Sequence, residues 1–177
     1  MVDRHGAIGV FDSGVGGLTV VRQIEARLPT ESIIYLGDTA RVPYGTKSPE
    51  TVVRYAKACA QLLLERDIKM LVVACNTASA FALDALRDDL DIPVLGVIEP
   101  GAQAAVRATR TGRVGVIGTA GTIRSERYRE ALQCQDPSIT VFSQACPLFV
   151  PLTEEGWTTG DVPKTVAEAY LAPLLEN

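Results

Sequence analysis

Short apolar runs alternate with helical patterns of apolar residues along the whole chain. The runs that predict strands cover residues 7–11, 33–36, 70–74, 93–98, 114–117 and 139–142. Between them, apolar residues recur at a spacing of three and four, as on one face of a helix. Regular alternation of apolar strands with helices is typical of a parallel sheet covered on both faces. The sequence therefore predicts an α/β fold.

Capping and breaking residues predict where several helices begin and end. Ser48 and Pro49 fit an N-cap and a first helical position. One helix is expected to begin directly after Cys75, and another is expected to open at Glu99 and Pro100 and to end at Gly112. The last helix, after Asp161, is expected to be interrupted by Pro173.

Polar residues gather where the predicted strands end. Ligands of parallel α/β proteins bind beyond the carboxyl ends of the strands, so this edge is the expected binding site. The residues concerned are Asp12, Ser13, Asp38, Cys75, Asn76, Thr77, Glu99 and Thr119.

Composition and charge exclude several classes of function. The 177 residues are 47% hydrophobic and carry a net charge of −4, with no basic stripe for nucleic acid and no run long enough to span a membrane. No apolar leader follows Met1, so we expect a soluble, cytoplasmic protein. The single histidine, His5, and four cysteines without a Cys-x-x-Cys pair argue against a metal site or disulfides.

Cys75 is the most informative candidate for chemistry. It lies between a buried strand and a helix, where unpaired N–H groups and the helix dipole favour a thiolate and predict a depressed pKa. Asn76 and Thr77 would help to hold a carboxylate there. The alternative is a small buried cysteine beside an ordinary Asn-Thr helix cap, and the local sequence leaves both open.

Two glycine-rich turns are weaker signals. The turn at residues 12–17 would let the backbone approach an anion, with Asp12 holding an amino group or moving a proton, although a tight turn with a capping Asp is the simpler explanation. The turn at residues 115–121 has the spacing G-x-x-G-x-x-G, and no acidic residue ends the next strand. No nucleotide cofactor is therefore expected.

Taken together, these segments resemble the glutamate racemases along nearly the whole chain. The matching blocks are GVFDSGVGG at residues 9–17, YLGDTA at 35–40, PYG at 43–45, ACNTA at 74–78, GVIEPG at 96–101, Gly118 to Thr122, and ACPLFVPL at 145–152. Each block alone would be weak, whereas this many in the same order are specific.

The resemblance implies inversion of glutamate at its α-carbon without a cofactor, by two cysteines that face each other between two α/β domains. The domains here would be residues 1–98 and 99–177. In bacteria this reaction supplies D-glutamate for peptidoglycan of the cell wall. By motif match Cys75 is one catalytic cysteine, assisted by Asp12. The residues implied to contact substrate are Asp12, Ser13, Tyr44, Gly45, Asn76 and Thr77, with Thr119, Thr122, Asp38 and Glu154 as weaker matches.

The sequence departs from the family's pattern in one large respect. The Gly-Cys-Thr-His block that carries the second cysteine is not found within these 177 residues, and Cys146 lies in an earlier block. We expect the second domain to be C-terminally truncated and the chain to be inactive as a racemase, with exposed apolar surface that promotes homodimers or aggregates. A non-catalytic glutamate-binding or regulatory fragment and an aspartate racemase stay open. A cysteine hydrolase is disfavoured because only His5 is available to activate a thiol.

Overall fold

The computed structural model describes residues 6–176 and divides into two compact units between Val97 and Ile98. The sequence predicts this boundary one residue later, after Ile98. Both units are built from parallel strands and helices, so the predicted α/β fold is confirmed. His5, the single histidine, lies outside the described residues.

The first unit holds a four-stranded parallel sheet in the order β2-β1-β3-β4. Its elements are β1 (Ala7–Asp12), α1 (Leu18–Arg27), β2 (Ile33–Gly37), a 3-10 helix (Tyr44–Thr46), α2 (Pro49–Leu64), β3 (Ile68–Val73), α3 (Asn76–Phe81), α4 (Leu83–Asp89) and β4 (Val94–Gly96). The helix α2 begins as predicted, because the Ser48 hydroxyl caps it and accepts from the Thr51 N–H at 3.3 Å.

Successive residues of the central strands face opposite sides of this sheet, and both sides form apolar cores. Phe11, Leu71 and Val73 pack in a core that includes residues of α2, α3 and α4. Val10 and Val72 pack in a second core on the other side, against residues of α1. All six residues of β1 are buried, which explains why its sequence is a continuous apolar run.

The second unit holds a two-stranded parallel sheet, β5-β6. Its elements are α5 (Ile98–Ala108), β5 (Arg113–Gly118), α6 (Ala120–Arg124), α7 (Arg127–Gln135), β6 (Thr140–Ala145), α8 (Phe149–Glu154) and α9 (Asp161–Leu175). Its core joins the sheet to α5 and α7 through Ala102, Val116, Leu132, Ile139 and Val141. No helix among residues 6–176 is long and apolar enough to cross a membrane.

Several predicted helix bounds are wrong. Pro173 does not interrupt α9, which continues for two residues beyond it to Leu175. The helix after Cys75 is two helices that meet at Ala82, whose φ of −112° and ψ of −12° distort the helix without a Gly or Pro to signal the break. The helix α5 begins at Ile98 and ends at Ala108, well before Gly112, which is a turn residue at φ +70°.

Candidate active site

The carboxyl ends of three neighbouring strands bring the predicted residues of the first unit together. Backbone hydrogen bonds tie these ends to one another: the Asp38 N–H donates to the Asp12 carbonyl at 2.9 Å, and the Ala74 N–H donates to the Phe11 carbonyl at 2.8 Å. Asp12, Asp38 and Cys75 therefore lie along one edge of the sheet, as expected for a ligand site in a parallel α/β unit.

The sulfur of Cys75 takes part in two hydrogen bonds. Cys75 is 6% exposed and is the N-cap residue of α3, where its Sγ accepts from the Ala78 N–H at 3.4 Å. The thiol donates to the Ser13 Oγ, also at 3.4 Å. The sulfur itself is thus the helix cap, a role that the alternative explanation gave to Asn76 and Thr77.

The predicted depression of the Cys75 pKa is wrong. Burial raises the pKa of this thiol above its ordinary value, and the negative charge of Asp12 raises it further. The hydrogen bonds from Ser13 and Ala78 lower the pKa but are the smaller influence. The sequence pattern shows the helix N-terminus but shows neither the depth of burial nor the nearby carboxylate.

Asp12 organises the glycine-rich turn that follows β1. It is 7% exposed, and its Oδ2 accepts from the backbone N–H groups of Gly14 at 3.2 Å and Gly17 at 3.0 Å. A Cβ at Gly17 would lie 2.6 Å from the Cβ of Asp12 and 3.1 Å from that of Ala74, so only glycine fits. These contacts are those of the capping role considered for Asp12, and they hold its carboxylate beside Cys75.

The two residues of the Tyr44-Gly45 block are both buried. Tyr44 is 1% exposed, and its hydroxyl donates to Asp38 Oδ2 at 2.5 Å. The 3-10 helix that contains both residues contacts α3. Asn76, the first residue of α3, is exposed, whereas Thr77 is 2% exposed.

Arg41 is the residue at this edge that the sequence reasoning missed. Its Nε contacts the Asp38 carboxylate at 2.7 Å, and its Nη2 lies 3.8 Å from the Cys59 sulfur. Asp38 raises the pKa of Arg41, which stays a cation. An arginine directly after the YLGDTA block was the available signal, because a buried aspartate needs a cationic or donor partner.

The remaining predicted site residues belong to the second unit. The Thr119 hydroxyl caps α6 by accepting from the Thr122 N–H at 3.2 Å, and the two hydroxyls lie 3.0 Å apart. Glu154 is the last residue of α8. Cys146 is buried, and its thiol donates to the Gln144 carbonyl at 3.6 Å, in line with a structural role. In the described part of the chain no three His, Cys, Asp or Glu residues are grouped to hold a metal ion.

Known proteins resemble this chain in sequence and in structure. It is 63% identical over 170 residues to the glutamate racemase of Geobacter metallireducens, and the match covers 96% of this chain and 63% of that protein. The chain thus spans just under two thirds of that relative's length.

Two solved structures of glutamate racemases superpose closely. The RacE1 isoform from Bacillus anthracis has a TM-score of 0.90 at 44% identity, covering 98% of this chain and 65% of that one. The Francisella tularensis enzyme in complex with D-glutamate has a TM-score of 0.88 at 43% identity, covering 95% and 63%. The model of the Asp/Glu/Hydantoin racemase family matches residues 8–172. This chain belongs to the Asp/Glu/Hydantoin racemase family.

Proposed function

We propose that this chain carries one of the two acid–base half-sites of a glutamate racemase, which interconverts L-glutamate and D-glutamate without a cofactor. The observation that carries the proposal is the Cys75 thiol, held between Ser13 and the Ala78 N–H, in a chain 63% identical to a glutamate racemase. In a bacterium, the product D-glutamate would supply peptidoglycan synthesis.

The proposed chemistry is a proton transfer at the α-carbon. The Cys75 thiolate removes the α-proton, and the electron pair of that C–H bond passes into the substrate carboxylate. Ser13, Gly45, Asn76 and Thr77 hold the carboxylate while this charge develops. Inversion then requires a proton donor on the opposite face, which in this family is a second cysteine. Thr119 and Thr122 are proposed as further substrate contacts, on the resemblance to the glutamate racemases.

Asp12 has two tasks in this proposal. Its carboxylate binds the substrate ammonium group, and it accepts the thiol proton of Cys75 when the thiolate forms. The raised pKa of Cys75 means that the thiol is protonated at neutral pH before substrate binds. The ammonium group of the substrate, placed beside Asp12, would offset the carboxylate's effect and favour the thiolate.

The experiment that tests the proposal follows hydrogen exchange and inversion separately. A polypeptide of these 177 residues is incubated in deuterated water with each glutamate enantiomer and, as a competitor class, with each aspartate enantiomer. With Cys75 alone to act, a proton removed from one face returns to that face. We expect deuterium to enter one glutamate enantiomer by mass spectrometry, with negligible racemisation by circular dichroism.

Two matched cysteine variants show which cysteine carries out the deuterium exchange. Cys75→Ala is expected to abolish it, whereas Cys134→Ala, which removes an exposed thiol of the second unit, should leave it unchanged. Exchange into aspartate in preference to glutamate would replace the proposed substrate. Binding of glutamate without any exchange would favour the non-catalytic alternative. Racemisation at about 1 per second or faster would contradict the half-site proposal, because a second group would then supply the proton.

A further inference from the structure

The loop between β2 and α2 is held in the first unit by a polar cluster whose centre is buried. This Asp38 cluster consists of Asp38, Arg41, Tyr44, Tyr55 and Cys59. The Asp38 carboxylate is its centre, since it accepts from the Tyr44 hydroxyl at 2.5 Å and from the Arg41 Nε at 2.9 Å. Asp38 is 7% exposed and Tyr44 is 1% exposed. The loop's conformation therefore depends on contacts shielded from water.

Ring contacts connect the cluster to two elements of regular structure. The Tyr44 ring lies 6.2 Å from that of Phe11 on β1 and 5.7 Å from that of Tyr55 on α2, as measured between centroids. The Arg41 guanidinium lies over the Tyr55 ring at 4.6 Å. Distances of this size are typical of stabilising aromatic and cation–π contacts. The cluster thus joins the loop to β1 and α2 at once.

The residues of the Asp38 cluster are suited to holding the loop in place rather than to transferring protons. A buried carboxylate is costly unless it is paired and hydrogen-bonded, and here Arg41 and Tyr44 supply both. Burial and the hydrogen bond to Asp38 raise the pKa of the Tyr44 phenol far above its ordinary value, so it remains a neutral donor.

The Asp38 cluster is connected to the edge of the sheet where Asp12 and Cys75 lie. The Asp38 N–H donates to the Asp12 carbonyl at 2.9 Å, and the 3-10 helix Tyr44–Thr46 contacts α3, which starts after Cys75. We propose that Asp38 and Tyr44 are positioning residues, which hold the 3-10 helix against α3 so that the Gly45 backbone meets glutamate bound at Cys75. This inference rests on the proposed function and assigns the side chains of Asp38 and Tyr44 to the protein interior.

Single-atom changes to the central hydrogen bond test the inference. Tyr44→Phe keeps the ring contacts and removes the hydroxyl, while Asp38→Asn keeps an acceptor and removes the charge. Tyr55→Phe is the matched control, because it removes a hydroxyl from the same cluster and keeps the ring that Tyr44 and Arg41 contact. Each variant is treated with iodoacetamide at several glutamate concentrations, and alkylation of Cys75 is followed by mass spectrometry of its peptide.

A positioning role predicts that affinity changes while the reactivity of Cys75 does not. In Tyr44→Phe and Asp38→Asn, the glutamate concentration that half-protects Cys75 should rise about tenfold, the equivalent of one hydrogen bond. The alkylation rate without glutamate should stay the same, and native-state trypsin cleavage after Lys47 should increase as the loop opens. Tyr55→Phe should match the unsubstituted chain in all three measurements.

The outcomes separate this inference from the proposed function. A lack of glutamate protection in the unsubstituted chain would contradict the proposed function and this inference with it. Protection in the unsubstituted chain and equal protection in Tyr44→Phe would overturn the positioning role alone. A faster alkylation of Cys75 in the absence of glutamate, or the same loss of affinity in Tyr55→Phe, would show general loosening and would also overturn it.

Discussion

The two units share one alternation of strand and helix, but they cover their sheets to different extents. In the first unit every residue of β1 is buried and apolar cores lie on both sides of the sheet. In the second unit Arg113, Gly115 and Ile117 on one side of β5 are exposed. The helix α9 reaches that side through Leu174, 3.7 Å from the Cβ position of Gly115, yet has no buried residue.

This difference determines what each unit can hold. Among residues 6–176, four polar residues are buried in the first unit, Asp12, Asp38, Thr77 and Ser79, and one in the second, Thr122. Among the described residues no buried side-chain nitrogen or oxygen lacks a hydrogen-bond partner. A doubly covered sheet thus keeps polar groups fixed at its edge, which is the condition for preorganised chemistry. The second unit has the same alternation of strand and helix without this cover, and it holds fewer buried polar groups.

Two buried leucines give the largest expected contrast between the units. Leu71 on β3 is 0% exposed and lies between two neighbouring strands, while Leu132 on α7 is 1% exposed in the smaller core. We expect Leu71→Ala to lower the free energy of unfolding of the first unit by about 4 kcal/mol. Leu132→Ala should cost the second unit about 2 to 3 kcal/mol, because the smaller core around it can collapse further into the cavity.

Hydrogen exchange against urea concentration, read by mass spectrometry of peptides from each unit, measures both losses. The unit without the substitution is the internal control in each experiment. A loss in the second unit equal to or larger than that in the first would contradict the expectation that the larger core of the first unit relaxes less around a cavity.

The sequence predicts the elements well where burial is strongest. The continuous apolar run of β1 and the Ser48-Pro49 start of α2 are local signals, and both are found in the structure. The helix α8 was not predicted, and its Pro151 lies in the first turn, where a proline costs little. The break at Ala82 likewise depends on tertiary packing and has no marker in the sequence.

The candidate site was predictable by residue type but not by environment. Cys75, Asp12 and Ser13 stand at strand ends, and the parallel topology brings them together. The pKa of Cys75 could not be read from the sequence, since it depends on burial and on a carboxylate 63 residues earlier in the chain. The pairing of Asp38 with Tyr44 and Arg41 is likewise a product of the loop's fold.

Alkaline pH should destabilise the first unit more than the second, with an effect smaller than that of the leucine substitutions. Burial raises the pKa of Cys59 and Cys75 in the first unit and of Cys146 in the second. Below the unfolded thiol pKa of about 8.5, both states are protonated and this contribution to stability is fully present. Above it, the unfolded state loses its proton first, so stability falls by up to about 1.4 kcal/mol per pH unit for each buried thiol.

The first unit, with two such thiols, should therefore lose stability more steeply than the second between about pH 8.5 and 9.5. The groups that act on them are Asp12 beside Cys75, and Asp38, Arg41 and Tyr44 beside Cys59. Urea unfolding at a series of pH values checks this, and replacing Cys59 and Cys75 together by alanine should flatten the decline. An unchanged slope in that double variant would mean that other groups cause it.

Exposed apolar residues give the smallest expected effect on stability and a larger one on association. Four of them in the second unit lie on or next to α8 and α9: Leu148, Trp157, Val162 and Leu175, from 49% to 86% exposed. Trp157→Ser and Val162→Ser should each change the free energy of unfolding by less than about 0.5 kcal/mol, because little burial is lost. They should also weaken the self-association that exposed apolar surface promotes. Leu62→Ser on α2, at 50% exposure in the first unit, is the matched control and should leave association unchanged. Sedimentation velocity over a range of concentrations measures self-association. A chain that is monomeric throughout would show that the exposed apolar residues on or next to α8 and α9 do not cause association.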